Sequence, residues 1–504
     1  MLNADAASLK IAIIGGGISG LAAAVALQEQ APEAELTLLE SSDRLGGALW
    51  TRTETVTLPD GSQGVFLVEQ GADSFLVDAA DTVDFLRRAD LLDDLIQTNE
   101  KHRRAFVLYR DKLIPTPEEF ALLQPRKLRA LLTTPLLSWT GKARAACELF
   151  VSRSTNPDES LADFTRRRFG KQIYERLVEP LVAGIFTADG EKLSLPAALP
   201  RFAEMEQKHG SLIRAAWKVR KRAKHKHGNI DRDEDVPSLN SSQGSGARYG
   251  MFVTPRHGYS SLISALTARI AQHTISLESC VSALEKAGSK WRITWNQGGA
   301  NQGVSTISGE FDAIILATAL PGAAMLLKSV DAKLADVLAE IPAASSAVVS
   351  FGFLRSEIEH PLNGFGFVVP QAANRPLLAA SFPSVKFPDR APEGCVLVRA
   401  FLGGALQPDL VDLDEDELKE IALAELKALL GARGAPLFSR VARWRQAMPQ
   451  YHLGHRDRVR TIEERIAHLP GLGLAGNYLR GVGIPHCVRA GEQAAANVIA
   501  ALKA

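Results

Sequence analysis

The residues whose chemistry reads most clearly lie in the first fifty positions. Gly15-Gly16-Gly17-Ile18-Ser19-Gly20 has the form G-x-G-x-x-G. Gly15 permits a tight turn, Gly17 lets the backbone approach a diphosphate, and Gly20 allows a helix to pack close to a strand. The free N–H groups at the start of the following helix, with the positive end of its dipole, attract phosphate oxygens. Glu40 follows twenty residues after Gly20, where a carboxylate accepts hydrogen bonds from ribose hydroxyls. From it runs Glu40-Ser41-Ser42-Asp43-Arg44-Leu45-Gly46-Gly47, or E-x-x-x-R-x-G-G. Arg44 places a fixed positive charge near a diphosphate, and Gly46 and Gly47 let the chain run close to a cofactor. An ordinary glycine turn would account for the glycines alone. The whole set points to a bound dinucleotide.

Such a set must be held by a β–turn–α–β unit, and the flanking sequence supplies one. Residues 11–14 are an all-apolar run of the kind found in buried parallel strands. The segment LAAAVALQEQ after Gly20 reads as a helix, and residues 36–39 read as a second buried strand. Residues 81–222 read as mainly helical, broken by prolines at 115, 117, 125, 135, 157 and 180. Some of these Leu-rich pieces could face lipid, although core packing is the simpler account. Residues 223–249 lose almost all apolar character and are expected to be a flexible loop. His225 and His227 within it are better explained by a solvated basic run than by a metal.

From position 251 the pattern turns to strands, with apolar or alternating runs at 291–295, 311–318, 348–354, 366–369 and 396–402. Residues 414–430 read as a helix that starts acidic and stops at Gly431. A last strand at 473–475 leads through GNYLRGVGIP to a final helix striped by Val488, Gly491, Ala495, Val498 and Leu502. The expected fold is therefore α/β. A Rossmann-type dinucleotide domain (1–80, 250–305 and 435–504) would join a helical, membrane-associating or purely structural subdomain (81–222) and a mixed-sheet substrate domain (306–434).

Composition narrows the function classes. The chain has 504 residues, 46% hydrophobic and 23% charged, with a formal net charge of +1. That balance disfavours a nucleic-acid partner held by a strong overall field. Cys147, Cys280, Cys395 and Cys487 are widely spaced, which argues for reduced thiols and against a disulfide framework or a zinc site. The start MLNADAASLK lacks a secretory pattern, and no apolar run reaches the length of a membrane span. Cytoplasmic residence is expected, with peripheral contact at the inner face of a membrane and a homodimer both left open.

The E-x-x-x-R-x-G-G extension resembles the FAD signature shared by amine oxidases, carotene desaturases and porphyrinogen oxidases. Further segments resemble the bacterial oxygen-dependent protoporphyrinogen/coproporphyrinogen III oxidases. They are Gln70-Gly71-Ala72-Asp73-Ser74-Phe75, residues 179–186 (EPLVAGIF), 189–195, Glu206-Gln207-Lys208-His209, residues 449–455 (PQYHLGH) and Gly483-Ile484-Pro485. The resemblance spans nearly the whole chain apart from 223–249. It implies FAD contacts at Gly15 to Gly20, Glu40, Ser41, Arg44, Gly46, Gly47, Gly71, Ala72, Asp73, Ser74, Val281, Trp444, Val482, Gly483 and Ile484. The segment 475–485 and the helix after it would close the flavin site. The resemblance further implies a reduced tetrapyrrole substrate, six electrons removed in three two-electron steps, and dioxygen reduced to hydrogen peroxide.

Two departures stand out. Ala72 replaces a proline common in the family, and Leu76 stands where mitochondrial members carry a propionate-holding arginine. Asp73-Ser74-Phe75-Leu76 matches the coproporphyrinogen-type members instead. No acid–base residue is indicated. Cations for the substrate carboxylates would come from Arg166, Arg167, Arg168, Arg176, Arg201, Lys208 or His209, although an ordinary salt bridge explains any one of them better. Phe186, Phe351, Phe353, Phe365 and Phe367 have the shape to sandwich a flat ring, but core packing is the better account of each. The alternatives are an amine oxidase or carotenoid desaturase on the same scaffold, with covalent flavin attachment at Cys487 as one variant, and a flavin-free binding protein like the Rab GDP-dissociation inhibitors.

Overall fold

The computed structural model describes residues 8–77, 80–117, 120–121, 124–125, 128–218, 252–271, 274–298 and 303–503. The expected loop 223–249, with His225 and His227, lies outside the described residues.

Both chain ends build one parallel sheet. Its five strands run in the order Ile275–Ser276, Glu35–Leu39, Lys10–Ile14, Ala313–Leu316, Leu472–Leu474. Every neighbouring pair is parallel. The opening strand is buried on both faces, as its unbroken apolar run requires. Ile11 and Ile13 enter one core, while Ala12 and Ile14 enter the other. The first core is covered by the helix Ile18–Gln30 and the closing helix Ile484–Lys503. These two helices cross so closely that a Cβ on Gly491 would stand 2.1 Å from the Ser19 carbonyl oxygen. The second core is covered by the antiparallel strands Ser279–Ala287, Lys290–Gln297 and Ser305–Phe311.

A seven-stranded sheet forms the other half. Its order is Phe438–Pro449, Ala343–Leu354, Cys395–Gly403, Leu377–Ser381, Gly366–Val368, Phe106–Tyr109, Lys112–Pro115. All neighbours are antiparallel except Gly366–Val368 with Phe106–Tyr109. The helix Glu415–Leu430 covers it with Leu418, Ala422, Leu426 and Leu430. A capping box between Asp414 and Glu417 starts this helix, and Gly431 in the left-handed region (φ 62°) ends it.

Three segments fall differently from the sequence expectation. Ala313–Leu316 lies at the heart of the parallel sheet, not among the antiparallel strands that follow it. Phe438–Pro449 belongs to the seven-stranded sheet although it precedes the closing helix. The stretch 81–222 is not helical throughout: Phe106–Tyr109 and Lys112–Pro115 form a hairpin that extends the seven-stranded sheet. The reason is local. Arg110 and Asp111 both adopt positive φ (51° and 57°), as a two-residue hairpin turn demands, and FVLY before them is rich in strand formers. The helices return at Trp139–Ala146, Leu161–Phe169, Glu179–Phe186 and Pro200–His209 around a core of their own.

Candidate active site

The glycine turn after the opening strand is built as its sequence implies. Gly15 has φ 107°, and a Cβ there would lie 2.6 Å from the Ala317 carbonyl oxygen. A Cβ on Gly20 would lie 1.9 Å from the Gly15 oxygen, so the helix sits hard against the turn. Gly17 differs: a Cβ there would meet nothing within 4 Å. Its backbone faces open space at the start of the helix Ile18–Gln30. Ile18 and Ser19 are buried beneath it.

The second motif is laced to the first by hydrogen bonds. The Gly46 N–H donates to the Gly16 carbonyl at 2.9 Å. The Glu40 carboxylate accepts the Gly16 N–H at 2.7 Å, the Ser42 N–H at 2.8 Å and the Ser42 hydroxyl at 2.7 Å. Ser41 is exposed and reaches the same carboxylate at 3.4 Å. Arg44 donates to the Gly47 carbonyl at 2.9 Å and lies over the Trp50 ring at 4.6 Å. Val281 is buried two residues beyond Ser279, whose N–H donates to the Glu40 carbonyl at 2.8 Å.

Residues 70–74 come next to this cradle. A Cβ on Gly71 would lie 2.3 Å from the Ala48 carbonyl oxygen. The Trp444 indole donates to the Gln70 carbonyl at 2.8 Å, and Arg399 donates to the Gly71 carbonyl. Ala72 is exposed. The Asp73 carboxylate accepts from Lys386 at 2.9 Å and from the Ser74 hydroxyl at 2.9 Å, with Arg399 at 3.8 Å. Burial opposes its charge, but Lys386 and Arg399 overcome that and hold its pKa at about 2. Nearby Glu69 goes the other way. Burial dominates and pushes it up to about 7, although it accepts from Thr51 at 2.9 Å. Val482 and Gly483 lead into the closing helix at Ile484, which packs on the core shared with the helix Ile18–Gln30.

The Gly15–Gly20 turn and the Glu40–Gly47 run lie together at the carboxyl ends of two neighbouring parallel strands, where open α/β sheets bind their ligands, and residues 70–71 pack beside them. They fit an adenine dinucleotide: an open space over a bare backbone, a helix start beneath it, a carboxylate alongside and a fixed guanidinium.

The expected cations for substrate are mostly committed elsewhere. Arg166 pairs with Glu191 at 2.7 Å, and Arg167 pairs with Glu159 at 2.6 Å and Glu206 at 2.9 Å. Arg168 is fully buried between Glu148 (2.8 Å) and Glu206. Arg176 donates to the Leu136 carbonyl at 2.9 Å. Arg201 and Lys208 are exposed, and His209 is half-buried. Phe351, Phe353, Phe365 and Phe367 are core residues, and Phe186 is partly buried against the helical core. Cys487 is buried on the closing helix, and burial pushes its thiol up to about 11. It is a poor nucleophile for covalent attachment.

Lys386, Arg399 and Glu69 escaped the sequence reading. One signal was there for Arg399: it is the lone charge inside the apolar strand CVLVRAFLG. Nothing marks Lys386. Among the described residues no group of side chains has the makings of a metal site, and no helix is long and apolar enough to cross a membrane.

Comparison with known proteins places this architecture. The chain is 31% identical to coproporphyrinogen III oxidase of Bacillus subtilis (strain 168), over 97% of each chain. It is 31% identical to chloroplastic protoporphyrinogen oxidase 1 of Arabidopsis thaliana, over 96% of this chain and 87% of that one. The crystal structure of a proposed protoporphyrinogen oxidase from Exiguobacterium sp. 255-15 superposes with a TM-score of 0.79 at 27% identity, covering 99% of this chain and 100% of the other. The model of the flavin containing amine oxidoreductases matches residues 18–499, and the chain belongs to that family.

Proposed function

We propose that this protein is an FAD-dependent oxidase of a porphyrinogen in heme biosynthesis, acting on coproporphyrinogen III or protoporphyrinogen IX. The observation that carries the reading is likeness over nearly the full length to coproporphyrinogen III oxidases, combined with a cradle shaped for an adenine dinucleotide. Six electrons and six hydrogens leave the substrate in three two-electron oxidations. Three dioxygen molecules take them up and leave as hydrogen peroxide.

FAD, when bound, supplies the two-electron acceptor that no side chain can provide. The protein's residues hold it. The backbone from Gly17 into the helix start offers N–H groups to the diphosphate, those of Gly15 and Gly16 being committed to Leu39 and Glu40, and Glu40 keeps a lone pair on Oε2 for a ribose hydroxyl. Arg44, Gly46 and Gly47 line the same run, with Ser41 at its edge. Gly71, Ala72, Asp73 and Ser74 form a second wall, backed by Trp444 through the Gln70 carbonyl. Val281 flanks Glu40, and Val482, Gly483 and Ile484 bring the closing helix to the site. The electron-rich pyrroles assist loss of hydride, so the protein's task is to position the ring and exclude water rather than to supply an acid or base.

A cytoplasmic location is part of the proposal. Exposed Trp139 and Phe150, 79% and 84% accessible at the edge of the helical region, support peripheral contact with a membrane. The test is aerobic incubation of the FAD-loaded protein with each porphyrinogen, following porphyrin fluorescence. One of the two should be oxidised well above its spontaneous rate. If neither is, the reading fails.

A further inference from the structure

EPLVAGIF at 179–186, PQYHLGH at 449–455 and VGIP at 482–485 are the segments whose resemblance to the porphyrinogen oxidases is most specific. In the fold PQYHLGH is the centre of a hydrogen-bonded junction that reaches Phe186 and residues 192–194 on one side and the turn just before VGIP on the other.

On one side this segment grips the turn 477–481. The Tyr451 hydroxyl donates to the Asn477 carbonyl at 2.5 Å and accepts the Gly481 N–H at 2.7 Å. One oxygen thus spans both ends of the turn. His455 stacks on the Tyr451 ring, with centroids 4.0 Å apart and planes 12° apart. Its Nε2 lies 2.9 Å from the Leu479 carbonyl. The carbonyl requires a donor, so the proton sits on Nε2. The other nitrogen, Nδ1, is buried and has no hydrogen-bond partner, so the ring is neutral. Burial agrees with this, depressing its pKa to about 4.

On the other side the same segment grips the helical region. The Ser194 N–H donates to the Tyr451 carbonyl at 2.8 Å, and the Leu453 N–H donates to the Lys192 carbonyl at 3.0 Å. Gln450 donates to the Phe186 carbonyl at 3.2 Å. Asp158 accepts from the Ser194 hydroxyl and the Gly454 N–H, both at 2.5 Å.

The turn so held cannot rest on its own glycines. Gly481 has φ 126°, and two residues later Gly483 opens the twenty-residue closing helix. Glycine leaves such a turn with many alternatives unless long-range bonds choose one. We propose that Tyr451 and His455 are positioning residues, which fix the turn 477–481 and so set how the closing helix meets the flavin. They also tie that helix mechanically to the 186–195 segment of the helical region. This rests on the flavin reading above.

The test uses the full-length protein. Tyr451→Phe keeps the buried ring and removes only the hydroxyl that spans the turn. Both hydrogen bonds that Tyr451 makes to the turn are lost, and the dissociation constant for FAD should rise about tenfold. On this proposal the positive end of the closing helix faces the flavin, so loosening that end should stabilise reduced flavin less and lower the midpoint potential. His455→Gln retains an N–H for the Leu479 carbonyl and should lose less than His455→Leu. A merely structural role would lower the unfolding temperature of all three variants and leave potential and FAD affinity at wild-type values. That result overturns the proposal. A wild-type protein that takes up no FAD would overturn the flavin reading itself, which is a different outcome from an unchanged Tyr451→Phe.

Discussion

Gly17→Ala separates the ligand from the fold. Gly17 has φ −70° and ψ 177°, a conformation any residue adopts. The added methyl would meet nothing within 4 Å, so the free protein gains no clash. Alanine is a poorer helix cap than glycine by up to about 1 kcal/mol. Losing glycine's freedom in the unfolded chain returns roughly 0.4–1 kcal/mol. The two effects nearly cancel, and the thermal midpoint of the flavin-free protein should stay put. The bound state is different, because the methyl enters the space assigned to the diphosphate. Overpacking of a close contact costs about 1–3 kcal/mol, or roughly five- to 150-fold in the dissociation constant. The assay is fluorescence titration of flavin-free protein with FAD, run beside thermal unfolding of the same sample. Wild-type affinity in Gly17→Ala would refute the claim that this backbone lies against a diphosphate. An unfolded variant would refute the claim that the space is open.

Two other substitutions probe the scaffold around that cradle. Gly491→Ala should behave in the opposite way, because its methyl would stand 2.1 Å from the Ser19 backbone. The two helices must part, at a cost of about 1–3 kcal/mol, so the unfolding temperature should drop with and without flavin; an unchanged midpoint would refute the close crossing. Glu69→Gln tests the buried carboxyl raised to about 7. A raised pKa means that the folded state holds this proton more tightly than the unfolded chain, so its contribution is complete below about pH 4.5 and is lost as pH rises through 7. The loss is of order 3 kcal/mol, and Glu69→Gln should gain that much relative to wild type between pH 4.5 and 8 in urea unfolding. A gap between the two proteins that does not change with pH would refute the assignment.

The cradle and the junction were not equally legible, because the cradle lies within one contiguous motif and the junction joins separate segments. The cradle's bonds all fall between residues 16 and 47: Gly16 to Glu40, Gly16 to Gly46, Arg44 to Gly47. Residue types at fixed spacing suffice to specify them, and the turn, helix and second strand appear where the motif puts them. The same holds for the helix Glu415–Leu430, whose start and stop signals are local. Legibility fails where an element's partner is remote. Ala313–Leu316 reads as any apolar strand, and only pairing with Lys10–Ile14, some three hundred residues away, decides its sheet. The hairpin of Phe106–Tyr109 and Lys112–Pro115 carries local signals of its own, but its place in the seven-stranded sheet depends on Gly366–Val368. Lys386 and Arg399 meet Asp73 across similar separations. Arg168 is a different case: Glu148 and Glu206, which close around it, are only 20 and 38 residues away, but no motif ties the three together.

This division bears on how the site works. A cradle held by its own neighbouring residues is preorganised, so binding a dinucleotide there costs little ordering. The closing turn is held from outside its own segment. Tyr451 and His455 grip it, and they are gripped in turn by the 186–195 segment, with Gln450 bonded to Phe186 across 264 residues. A disturbance in the helical region therefore has a hydrogen-bonded route to the closing helix. Perturbing the junction should change how the flavin is closed over, and perturbing the cradle should change whether it binds at all. The two sets of variants ought to separate on that line: Gly17→Ala in affinity alone, Tyr451→Phe in affinity and potential together.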